Sequence, residues 1–168
     1  MLATEQYAQN ERAPLFPLSS RFRMNIKNHN CTVPSMNSAA AIEKLLVEAG
    51  ATSVSKWYEG QELQGFLFQI RLNGANLVFR LPANVNIVAG RLLQTVKNPD
   101  ASMRTSLQAQ AARTAWRTLH EWVEAQVDMI RLGQVDLLQI FLPYNYSQDQ
   151  NRSYYDYVKA GAVQLLAA

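Results

Sequence analysis

The chain has 168 residues, 48% of them hydrophobic, which fits one folded domain and excludes an unfolded, purely solvating chain. Charged residues reach only 17%, and 12 Asn and 14 Gln supply much of the polar surface instead. A net charge of +3 admits an acidic partner such as nucleic acid without requiring one, and a single cysteine, Cys31, excludes an intramolecular disulfide or a cysteine-only metal site.

No run of about 18 apolar residues is present, so no membrane span is expected. The first residues, MLATEQYAQNER, show no basic segment followed by an apolar stretch, as a secretion signal would. These features lead to the expectation of a cytoplasmic α+β protein. Residues 1–37 carry no sustained period and are interrupted by Pro14, Pro17 and Pro34, so they read as an extended arm. Its apolar residues Leu15, Phe16, Leu18, Phe22 and Ile26 are too many for a free linker, and the arm is expected to lie on the domain or on a partner.

A helix is predicted over 38–49, with Ser38 as cap, Ile42, Leu45, Leu46 and Ala49 at helical spacing, and Gly50 as its stop. A strand is predicted over 52–59, rich in β-branched and aromatic residues. The strongest local signal follows in residues 63–81. Two alternating runs flank Asn73-Gly74, the preferred two-residue hairpin turn, because both turn positions need a positive φ. That turn pairs Ile70 with Leu77, Phe68 with Phe79 and Phe66 with Leu81, and puts these six and Leu72 on the buried face. The opposite face carries Leu67, Gln69, Arg71, Asn76, Val78 and Arg80. A short helix is expected over 84–97, using Val85, Val88, Leu92 and Val96, with Pro99-Asp100 breaking it. The longest helix is expected over 102–132, stopped by Gly133, with Ala115, Trp116, Leu119, Trp122, Val123 and Val127 in its apolar stripe. Arg117 and Glu121 stand at i,i+4 on its solvated side, together with Glu124 and Asp128. One or two helical turns then end at Pro143, and 153–167 reads as a final helix weakened by Gly161.

The fold class that results is α+β: an N-terminal helix, a three-stranded antiparallel meander, and a long helix packed on the sheet plus short C-terminal helices. The domain organisation reads as an arm (1–37), a core (38–146) and a tyrosine-rich tail (147–168).

Enzymatic motifs are absent: no phosphate loop, no G-x-G-x-x-G, no G-x-S-x-G and no H-E-x-x-H. His29 and Cys31 lack the second ligand pair that structural zinc needs, and His120 reads as a boundary residue of the long helix. No catalytic residue, metal or cofactor is therefore assigned. Basic and aromatic residues carry more. Arginine outnumbers lysine 11 to 5, and arginine is the better bidentate phosphate ligand and base-stacking partner. Arg71 and Arg80 on the outer hairpin face, Arg91 beyond it, and Arg21, Arg23 and Lys27 from the arm would together follow a phosphate backbone. The same face would equally suit a sheet that wets its outer side or is covered by another subunit. Tyr154, Tyr155 and Tyr157 are candidate base-stacking groups, or else part of a protein interface or of the core.

Three stretches, FRLPANV (79–85), TAWRTLHEWVEAQ (114–126) and IFLPY (140–144), together resemble a family of small uncharacterised proteins encoded by bacteriophages, prophages and integrative mobile elements. The resemblance spans about residues 38–146 and implies a mobile-element accessory protein; it transfers no functional residue. The helix, three strands and helix also follow the order of a double-stranded-RNA-binding domain. However, SLQAQAARTAW replaces the lysine-rich start of that domain's second helix, and residues 82–101 are inserted before it. The expected function is non-enzymatic binding of nucleic acid by an oligomeric accessory protein. The alternative is a protein–protein module, an inhibitor or adaptor of a larger host or mobile-element complex.

Overall fold

Residues 26–161 are described in the computed structural model of the chain. Its first helix, α1 (Ser35–Glu48), begins three residues before Ser38, immediately after Pro34 at the N-cap. Pro34 holds an extended backbone there, so the helix starts directly behind it, and Ser38 is not a cap. It is an interior helical residue, buried with its hydroxyl unpartnered. The end is as expected. Gly50 takes φ 104°, and Ala51 N–H returns to Leu46 C=O at 3.0 Å, closing the helix in a left-handed cap.

Strands β1 (Ser53–Glu59), β2 (Glu62–Leu72) and β3 (Ala75–Pro82) form an antiparallel meander in the order β1-β2-β3. The β2–β3 register is the expected one, with Ile70 opposite Leu77, Phe68 opposite Phe79 and Phe66 opposite Leu81. Asn73 (φ 49°) and Gly74 (φ 83°) make the turn. Leu72 shares this face but is exposed, because it lies beside the turn, past the reach of the helices. Trp57 stands opposite Gly65, which is itself opposite Pro82, and an irregularity just after Trp57 shifts the β1–β2 register from Tyr58 onward. At Gly65 the strands are too close for any side chain. A Cβ there would overlap the Leu81 carbonyl oxygen and lie 2.9 Å from Pro82 Cα.

Helix α2 (Val85–Leu93) is shorter than expected: Thr95 Oγ1 donates to Leu92 C=O at 2.6 Å and Asn98 turns left-handed (φ 51°), leaving Val96 outside it. Asp100 does more than break the chain, since its carboxylate accepts Met103 N–H and caps helix α3 (Ala101–Arg131). This long helix covers the inner face of the sheet. Phe66 meets Trp116 edge-on at 5.7 Å, and Val123 and Val127 are fully buried. Trp122, expected on the sheet, instead packs on Phe141 of helix α4 (Leu137–Phe141), and it is Phe141 that reaches Phe68.

Helix α1 lies along α3 in the same sense. At the start of α1, Gln110 Nε2 and Arg113 Nε both donate to Cys31 C=O at 3.2 and 3.1 Å; at its end Glu48 pairs with Arg131. Glu121 is not a solvated bystander, as its place on the helix suggests. It receives Arg117 Nε at 3.0 Å, Lys27 Nζ at 2.7 Å and Asn28 Nδ2 at 3.2 Å, and so fastens residues 27–28 to the middle of α3. Residues 1–25, with most of the expected arm, lie outside the described residues.

Candidate functional site

After Phe141 the chain turns round the free edge of β3. A 3-10 turn (Leu142–Tyr144) leads to Asn145, which bridges to Phe79 and donates its amide Nδ2 to Val78 C=O at 3.0 Å. Two short strands follow, β4 (Tyr146–Ser147) and β5 (Arg152–Ser153), and then helix α5 (Tyr154–Lys159). Because Phe141 lies against the inner face and Tyr146 against Arg80 on the outer face, residues 141–161 act as a strap across the edge. Tyr154 N–H donates to Asn145 C=O at 2.7 Å and closes the strap on itself.

The strap and the outer sheet face enclose a pocket of about 440 Å³, lined by Trp57, Arg80 and Pro82 from the strands, Asn84 ahead of α2, and Tyr144, Tyr146, Asn151 and Tyr155 from the strap. Arg80 is its centre. The guanidinium carbon sits 3.6 Å above the centroid of Trp57 and 5.2 Å from that of Tyr146. One N–H donates to Asn151 Oδ1 at 3.2 Å, and the Tyr146 hydroxyl donates to the same oxygen at 2.7 Å. The stack fixes the guanidinium in place, and among the described residues no carboxylate stands within ion-pair distance of it, although Asp156 lines the same pocket. Asp156 also lines the pocket. Its Oδ2 accepts the Ser153 N–H and hydroxyl at 3.0 and 2.7 Å, which makes it a helix-capping group of α5.

The wall mixes aromatic and polar side chains. Tyr155 leaves 39% of its surface exposed, with Lys159 Nζ 6.0 Å from its ring centroid. Tyr144 bridges pocket and core, since its ring also meets Trp122 at 5.8 Å, and burial pushes its phenol pKa above the ordinary value. Asn84, also in the lining, stands in the left-handed region (φ 56°) and its side chain makes no capping bond to α2.

The expected site residues divide. Arg80 and Tyr155 line the pocket. Arg71 is exposed on the same outer face, toward the hairpin turn, and extends the basic surface away from the pocket. Tyr154 and Tyr157 are half-buried and do not line it. Arg91 is held on α2 by Gln94 Oε1 at 3.4 Å, and Lys27 is committed to Glu121, so neither joins Arg80. Arg21 and Arg23 lie outside the described residues. Sequence reasoning missed Trp57, Tyr144, Tyr146 and Asn151. Only Trp57 left a signal: it alternates in register with Ser53 and Ser55, a tryptophan on the polar side of its strand.

A second, wider groove of about 750 Å³ lies between the start of α1, the β1–β2 turn and α3, with Met36, Tyr58 and Trp116 among its lining residues. Among the described residues no three His, Cys, Asp or Glu side chains gather as metal ligands, and no helix is long and apolar enough to cross a membrane. No family model, curated protein or solved structure matches the chain.

Proposed function

We propose that the outer sheet face, centred on Arg80, binds nucleic acid, and that the protein acts by binding, without catalysis. The observation that carries this reading is the stack of Trp57, Arg80 and Tyr146. A guanidinium held against two rings, with no ion pair to it among the described residues, is a preorganised receptor for a phosphate. Arg71 on the same face and Lys159 beside Tyr155 supply further cations near it. An accessory role in a phage or mobile element is the context that the resemblance of FRLPANV, TAWRTLHEWVEAQ and IFLPY implies.

The test is fluorescence anisotropy with labelled oligonucleotides over a range of salt. Three or four phosphate contacts on a single strand give a log–log salt slope of about −2 to −3. Arg71→Glu should weaken binding and make that slope shallower, and Arg80→Gln should weaken it more. Absence of binding at micromolar protein and low salt would overturn the reading.

A further inference from the structure

We infer that the pocket beside Arg80 receives one unpaired base with its sugar, so that the chain prefers single strands to duplexes. This rests on the proposed reading of the outer face and goes beyond it by naming the form of the nucleic acid. Shape carries the first part of the argument. Proteins read a duplex by inserting a protruding helix or ribbon into a groove about 12 Å wide. The site here is concave, formed where the strap folds over the sheet, with Arg80 as the one basic side chain in its lining and Asp156 as the one acid, the latter turned to Ser153.

Volume and chemistry carry the second part. About 440 Å³ lies in the lower half of the usual range for small-molecule pockets, about 300–1,000 Å³, enough for a single base and its sugar. Within it Arg80 is placed for a phosphate, and the exposed ring of Tyr155 is placed for a π-face. The Asn84 amide and the Tyr144 hydroxyl can meet polar edges of a base. Trp57 is not the stacking platform, because Arg80 already covers it; its part is to hold the guanidinium. Charge gives the third argument. With few cations on the face, affinity must come in good part from stacking, which contributes on single strands and is closed to a base still paired in a duplex.

The experiment compares three labelled probes on the full chain: a short oligothymidylate, its duplex with oligodeoxyadenylate, and an abasic strand of equal phosphate number. The inference requires the oligothymidylate to bind about tenfold more tightly than either of the others. Tyr155→Ala, at an exposed side chain that leaves the core untouched, should bring oligothymidylate down to the abasic level and leave abasic binding unchanged. Equal affinity for all three probes, with a common salt slope, would overturn the base pocket while sparing the proposed phosphate-binding face. Failure of all three at low salt would overturn both.

Discussion

At the scale of single residues, Glu121 shows how one carboxylate organises a surface. Lys27, Asn28 and Arg117 all direct donors at it, with Lys27 the largest influence, and together they hold its pKa at about 2, against an ordinary 4.5. Since the folded value lies below the unfolded one, the stability it adds is complete above pH 4.5 and is lost as pH falls from there toward 2. Lys27 is largely exposed, which limits what that partner contributes. Glu121→Gln should therefore lower stability at neutral pH by about 1–2 kcal/mol. Urea titrations across the acid range should show the difference from wild type shrinking as wild-type Glu121 protonates. A gap that stays constant with pH would mean that the carboxylate's charge plays no part. The same residue marks a limit of sequence reading. Its spacing to Arg117 announces the helical pair, but nothing local reveals that Lys27 and Asn28, more than 90 positions earlier, complete the cluster.

Among the elements, legibility follows the range over which the deciding forces act. The β2–β3 hairpin is fixed by two neighbours that tolerate positive φ and by strict alternation on either side, so its register is readable to the residue. Helix α3 is nearly as clear, from its apolar period and Gly133. The strap has neither signal. Strands of two residues have no period, and the bonds that seat them run from Asn145 to Val78 and from Arg80 to Asn151. Its anchor is Phe141, fully buried between Phe68 and Trp122, where the sequence shows only a helical turn before a proline. Phe141→Ala should cost about 3–5 kcal/mol, as truncation of a buried aromatic generally does. The loss should appear as a lower midpoint in denaturant unfolding with an unchanged slope. A change under about 1 kcal/mol would show that Phe141 is not the anchor.

Viewed whole, the molecule has a buried core and a less buried strap seated on it. The buried apolar core runs from Ala39 to Phe141, and among the described residues none beyond Phe141 is fully buried. The strap after that point is held by a few polar bonds and by the rings of Tyr144 and Tyr146, so it can open without unfolding the sheet beneath it. It also supplies most of the pocket wall, which ties the pocket's integrity to the seating of the strap. Hydrogen exchange should resolve this. The amide of Tyr154, bonded to Asn145 C=O, should exchange much faster than those of Phe66, Phe68 and Phe79 in the sheet. Tyr146→Ala removes one ring from the Arg80 stack together with the hydroxyl that shares Asn151. It should speed exchange across 145–154 by about tenfold, a local opening eased by about 1.4 kcal/mol, while the central strands keep their protection. Oligonucleotide affinity should fall in the same variant, because Arg80 loses its fixed orientation. If the strap and the central strands lost protection together, the two would form one cooperative unit, and the pocket would be as stable as the core on which it rests.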